Sequence, residues 1–396
     1  MEVVISGKKL GTLDHLAHDG KRFRWVREIP ENSWTFGFKD HSRDIELIAK
    51  ASGRSITDFY SSPHGRANSI IFEGRDVDVP WMHVLPHNVF HKLLSGILDQ
   101  LWCVLNEEYD GYYMNQFLIN RELLETLQQP HIDVSILKKI SRDEKNSREI
   151  LKFLPKSGQA APKSVYSQTG SVTGRLTVKH GPNILTLKKE YREILKSRFT
   201  GGKIIQIDIS SLEPRIALAI AKKGSPEDVY NFIGESVLKN KLTRAQVKIA
   251  VLSCMYGASA WSLSKNLPEE LDAREILYEI KRYFKISNLK SKLEKEISSL
   301  GHIRNVYGRP ILSDESVVNH FLQSSGVDVS FNVFSQVIAD ISDAGISFFP
   351  IYIIHDAIVL DVDSKQYNKI VELTSQGYKV DKLDCIFPVK VEVIKE

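Results

Sequence analysis

The chain has 396 residues, 42% of them hydrophobic and 26% charged, with a formal net charge of +4; it is long enough for a large core and two or three domains. The charge permits a polyanionic partner without demanding one, and no low-complexity tract is present. Cys103, Cys254 and Cys385 are odd in number and scattered, which supports neither a disulfide framework nor a thiolate zinc site and points to a reducing compartment; without a membrane-length apolar run or a leader-like start, the expected location is cytoplasmic.

Residues 1–90 read as short strands and turns with Trp25, Trp34 and Trp81 as core aromatics. Asp44-x-Glu46 has the spacing of paired exonuclease acids, but it leads into E-L-I-A-K, a helical pattern, whereas such acids need a strand. His87-Asn88 followed by Phe90-His91 is too closely spaced and lacks an acid, so no proofreading is expected. From 91 to 154 the pattern is helical: L-L-S-G-I-L-D-Q-L-W-C-V-L is amphipathic, and R-E-L-L-E-T-L and V-S-I-L-K-K-I repeat the period. The Lys- and Arg-rich run 138–152 is either a solvated face or a phosphate-backbone contact. Residues 155–164, P-K-S-G-Q-A-A-P-K-S, read as a linker. T-G-S-V-T-G-R-L-T-V, 169–178, reads as a loop and strand whose backbone approaches something closely, with Arg175 projecting.

Residues 203–215, K-I-I-Q-I-D-I-S-S-L-E-P-R, place β-branched residues where a buried strand needs them. The strand delivers Asp208 near its end, with Glu213 and Arg215 aimed back at the same neighbourhood. A lone acid there would ordinarily cap the following helix. A second apolar strand, 351–360, I-Y-I-I-H-D-A-I-V-L, carries Asp356 at its centre, with His355-Asp356 also resembling a tight hairpin turn. Two such acids suit a pair of hard divalent cations. Between them lies T-R-A-Q-V-K-I-A-V-L-S-C-M-Y-G-A, 243–258. Arg244, Lys248, Leu252 and Tyr256 recur every fourth residue, a drift of only about 40° per step, so they share one helix face. Two cations, an apolar group and a tyrosine on one face make a wall for a nucleoside triphosphate; the competing reading is an amphipathic helix with a wet polar edge. Further helices run to about residue 300, N-V-Y-G-R-P turns the chain at 305–310, and a long helix spans 317–338 with Asn319 and Gln323 one turn apart. V-K-V-E-V-I closes the sequence as a strand.

These segments resemble family A DNA polymerases, the DNA polymerase I group. D-I-S-S-L-E-P-R at 208–215 is similar to motif A, R-A-Q-V-K-I-A-V-L-S-C-M-Y-G at 244–257 to motif B, and I-H-D-A at 354–357 to motif C. T-G-R-L at 173–176 with Pro182-Asn183, Y-F at 283–284, Y-G-R at 307–309 and N-x-x-x-Q at 319–323 follow the family order, so the resemblance covers about 165–362. It implies an α+β right-hand polymerase with a small N-terminal α/β domain (1–90). The remaining parts would be a reduced helical thumb (91–160), a palm with an antiparallel sheet (161–215 and 301–396) and helical fingers (216–300). It also implies template-directed addition of dNTPs to a primer–template DNA. Asp208, Asp356 and the Ile209 carbonyl would hold two Mg²⁺ ions. Arg244 and Lys248 would grip the phosphates, Lys248 catalytically, and Glu213 would exclude ribonucleotides. Leu252 and Tyr256 would line the dNTP site; Arg175, Asn183, Asn319, Gln323 and His355 would contact primer–template. Leu252 replaces the family's aromatic, Ala357 its usual Glu, and Glu315 a basic residue; the segment between motifs A and B is short. The alternatives are a single-subunit RNA polymerase, disfavoured by Glu213, and a retired nucleic-acid-binding homologue, disfavoured by the surviving acids and cations. The compact chain suits a phage-type enzyme in its host's cytoplasm. Residues 1–90 remain open between a worn-down exonuclease, a replication-protein docking module and a processivity device.

Overall fold

The protein is described by a computed structural model covering residues 2–10, 12–31, 33–38, 44–51, 54, 56, 85–106, 111–143, 147–313 and 316–395. Trp81 and Glu315 lie outside the described residues. The chain divides into two compact units, Met1–Met114 and Asn115–Glu396. No described helix is long and apolar enough to cross a membrane.

In the first unit, β1 (Val3–Ile5), β2 (His15–His18), β3 (Phe23–Val26) and β4 (Trp34–Phe36) form a sheet in the order β3-β2-β1-β4. β1 runs antiparallel to β2 and parallel to β4. Among the described residues the unit also holds a one-turn helix, Gly7–Leu10, and the helices α1 (Ile45–Ala51) and α2 (His87–Asn106). Phe90, Leu94, Ile97 and Leu101 recur at three- and four-residue steps, so one stripe of α2 shares a core with Val3, Ile5 and Phe36. The segment expected as a thumb, 91–160, is therefore divided between the units, with α2 packed on the N-terminal sheet. Asp44 accepts from the Glu46 amide at 2.8 Å and caps α1, which accounts for the helical reading there. Trp34 packs against this core, but Trp25 is not a core residue. It is 44% exposed, because β3 is an edge strand.

The helix α3 (Gly111–Thr126) begins before the boundary and runs into the second unit, where α4 (Val134–Asp143) and α5 (Ser147–Leu151) precede the strand β5 (Lys203–Ile209). The 155–164 segment is not a free linker. Ala161 is fully buried, its amide bonds to Pro130, and Ala160 bridges to His131. After β5 come α6 (Leu212–Ile220), α7 (Val229–Ser236), α8 (Arg244–Met255), α9 (Ala260–Ser264), α10 (Ala273–Tyr283) and α11 (Ile286–Leu300). The helix α12 (Val317–Asp343) then leads into β6 (Phe348–Ile354), β7 (Ala357–Val362) and β8 (Val389–Lys395).

These four strands form an antiparallel sheet in the order β6-β7-β5-β8. Asp356 is thus not at the centre of a strand; it sits with His355 in the two-residue turn between β6 and β7. Along β5 the side chains alternate, as a pleated strand requires. Ile205, Ile207 and Ile209 enter a core with Ile216, Phe331, Phe334, Ile358 and Leu360. Ile204 enters the core on the opposite face with Tyr352 and Val359. Gln206 and Asp208 continue that second face, so one strand both anchors the sheet and presents an acid at its end.

Candidate active site

A cavity of about 610 Å³ lies at the end of β5. Its walls include Arg175, Asp208, Ile209, Glu213, Arg244, Lys248, Leu252, Tyr256, Gln323, His355, Asp356 and Lys390. Residues separated by 181 positions in the chain, from Arg175 to Asp356, therefore meet at one opening.

The two carboxylates are brought together by register. Ala357 pairs with Asp208 across β7 and β5, and the Ile209 amide donates to the Asp356 carbonyl at 3.0 Å. Burial pushes the Asp208 carboxyl up to about 7; Asp356 and Glu392 add to the shift, and Lys248 and Lys189 oppose it. His355 holds the turn in the left-handed region at φ 56°. Burial holds its imidazole below the ordinary value, with Arg175 and Arg192 acting in the same sense and Asp356 against.

Helix α8 supplies part of the cavity lining. Thr243 caps it reciprocally with Gln246, and Gly257 follows it at φ +72°, so the sixteen-residue motif is delimited by its own end signals. Arg244, Lys248, Leu252 and Tyr256 all face the cavity. The two cations lie over the Tyr230 ring, at 5.5 and 5.9 Å from its centroid. Arg244 also bonds Asp228 at 2.8 Å, and Asp228 caps α7. Sequence reasoning missed Tyr230 and Asp228; the only signal was an acid placed one residue before an apolar helical run.

Glu213 is held from both sides. Tyr256 Oη donates to its Oε2 at 2.6 Å, and Arg175 Nη2 donates to Oε1 at 3.1 Å. Burial and the bond to Glu213 hold the Tyr256 phenol well above its ordinary value. Arg175 is aimed by its loop. Gly174 has φ +75°, and a Cβ there would stand 1.8 Å from Arg309 Nη1, so only glycine permits this approach.

Three expected residues are placed elsewhere. Arg215 does not face the site; it is 1% exposed, with its guanidinium bonded to Ser210, Ser225, Pro226 and Glu227. The reason is helical phase, which turns it away from Glu213 two positions earlier. Asn183 does not line the cavity; its side chain accepts from the Leu185 amide and caps a short 3₁₀ turn. Asn319 does not line it either, and accepts from Gln323 Nε2 at 2.6 Å.

The donor set has the chemistry of a hard-cation site: two partly buried carboxylates whose mutual repulsion is offset by a cation, beside backbone oxygens. Among the described residues no group of three or more His, Cys, Asp or Glu side chains is placed to hold a metal. An ion here would take its remaining oxygens from backbone, water and substrate, which suits Mg²⁺.

Among solved structures, the chain is similar to the POL domain of Pol1 from M. smegmatis, solved in complex with DNA primer-template and dNTP. The TM-score is 0.51 at 16% identity, covering 88% of this chain and 62% of that one. That likeness shows a shared fold, and the chain spans less than two thirds of that structure's length. Comparison with curated proteins gives no match. The family model for DNA polymerase family A matches residues 100–395, and the chain belongs to that family.

Proposed function

We propose that this protein is a template-directed DNA polymerase that adds dNTPs to a primer 3′-hydroxyl. The observation that carries this reading is that Asp208, Asp356, Arg244 and Lys248 line one cavity. The sheet would be the palm, 216–300 the fingers, and the part of 91–160 that lies in the second unit the thumb. Asp208, Asp356 and the Ile209 carbonyl would hold two Mg²⁺ ions. When bound, these lower the pKa of the attacking hydroxyl and neutralise charge on the triphosphate.

The chain's own groups do the rest. Lys248 and Arg244, oriented over Tyr230, grip the triphosphate and stabilise charge as pyrophosphate departs. Leu252 and Tyr256 face the sugar and base. His355, Arg175 and Gln323 hold the primer–template near the reacting end, with Asn319 orienting Gln323. On this reading it works on DNA in the cytoplasm, in a phage-type setting. Primer extension by the purified protein with Mg²⁺ tests the reading; failure to extend any primer on a defined template would overturn it.

Two results follow. Glu213, wedged between Tyr256 and Arg175, occupies the space a ribose 2′-hydroxyl would need. Glu213→Ala is expected to raise the ratio of rNTP to dNTP incorporation by about tenfold to a hundredfold, corresponding to about 1.4–2.7 kcal/mol, in single-nucleotide extension. An rNTP preference in the unaltered protein would instead favour the RNA polymerase reading. The second result concerns 3′ ends. At the ends of the parallel strands β1 and β4 stand Ser6 and Gly37, and Asp44 is engaged in capping α1. A mismatched 3′ terminus incubated with the protein and Mg²⁺ is expected to stay intact; its progressive shortening would refute the absence of proofreading.

A further inference from the structure

Lys390 lies outside every motif described above, yet it is a wall residue of the cavity. It stands on β8 directly across from Asp208. Opposed residues of an antiparallel pair share a face with Cβ atoms about 4.5–5.5 Å apart, so the lysine stem rises beside the carboxylate. On the other flank of Asp208 the register partner is Ala357, which contributes no charge. The strand order β6-β7-β5-β8 therefore puts His355 and Asp356 on one side of Asp208 and Lys390 on the other. A substrate lying across the sheet meets the primer-side residues first and this ammonium at its far end.

At rest Lys390 is tied to its own strand, donating from Nζ to Glu392 Oε1 at 2.7 Å. That tether is weak, because the lysine side chain is 68% exposed, and exposed ion pairs add little. Glu392 also does not depend on it. Gln206 Nε2 donates to Oε2 at 3.2 Å, and Lys189 Nζ lies 3.5 Å from the same oxygen. Release of Lys390 would strand no carboxylate. A charge-assisted bond to a phosphate oxygen inside the cavity is the stronger partner.

Building on the polymerase reading, the geometry points to Lys390 as a sheet-side contact for the terminal phosphates of the incoming deoxynucleoside triphosphate, and for the departing pyrophosphate. It lines the same cavity as Arg244 and Lys248, so the phosphate tail would be held by cations from a strand and a helix.

The test is titration calorimetry with dATP, dADP and dAMP in Mg²⁺, on wild type, Lys390→Met, Lys390→Arg and Glu392→Gln. Lys390→Met should weaken dATP about tenfold and dAMP less than about twofold, with Lys390→Arg restoring most of the loss. Glu392→Gln, which frees the lysine, should bind dATP at least as well as wild type. In primer extension Lys390→Met should raise KM for dNTP and for pyrophosphate in the reverse reaction by a similar factor, with kcat within about threefold. Equal losses for dATP and dAMP would reduce Lys390 to a prop for Asp208, and no loss for either would remove the contact; each overturns the inference. A wild-type protein showing the Lys390-dependent dATP affinity but extending no primer would defeat the polymerase reading and leave this contact standing. Wild type that binds no dATP would defeat both.

Discussion

Asp208→Asn and Asp356→Asn are each expected to lower primer extension by about a thousandfold or more, since an ion-held transition state is worth several kcal/mol and each 1.36 kcal/mol is tenfold. Affinity for primer–template should change by less than about threefold, because phosphate contacts by cations dominate that term. Asn keeps the shape of Asp, so the ladder joining β5 to β7 and β8 is undisturbed. The two losses are distinguishable from misfolding by melting temperature. Asp208 is pushed up to about 7 by burial and by Asp356, so its charged form is disfavoured in the metal-free fold, and Asn should leave that fold as stable or more so. Extension within tenfold of wild type in both variants would remove the two-ion assignment.

The second large effect is on stability. Asp328 is fully buried on α12. Its Oδ1 accepts from Asn120 Nδ2 at 2.7 Å and Arg309 Nη2 at 3.3 Å, and its Oδ2 from Asn305 Nδ2 at 2.6 Å and Arg309 Nε at 3.4 Å. One carboxylate thereby fastens α3, α12 and the 305–309 turn. Asp328→Ala removes the counter-charge of a guanidinium that is itself 4% exposed, a change that costs about 3–5 kcal/mol. Thermal unfolding should shift down by about 10 °C. The double variant Asp328→Leu with Arg309→Met should recover part of that loss, because no buried charge is then left alone. A single-variant shift below about 2 °C would show that the network contributes little. Activity should fall as well, because Arg309 also packs against Gly174 and so supports the loop that aims Arg175.

Much of the site was legible because helix and strand periods are local. The four-residue spacing from Arg244 to Tyr256 needs no tertiary information, and neither does the β-branched run before Asp208. The hairpin at 355–356 was harder. Its turn carries a left-handed His355 without the Asn-Gly or Gly that usually marks such turns, so two strands also read as one. Lys390 was hidden by alternation: V-K-V-E-V is how a half-exposed strand looks, and only its pairing with Asp208 gives the lysine a place. The Asn120–Asp328 bond joins residues 208 positions apart, and no window on the sequence spans that. Asn183 and Asn319 are motif positions whose amides bond locally.

The last strand carries a consequence for how the folded protein comes into being. Gln206 and Glu392, bonded across β5 and β8, are 186 residues apart in the chain. During translation at about 5–20 residues per second, β5 waits roughly 10–40 s for that neighbour. Until then its apolar edge has open hydrogen-bonding groups, the condition that invites aberrant pairing between nascent chains. Slow, late closure of this kind makes maturation a step at which crowding or a chaperone would govern how much folded protein a cell obtains.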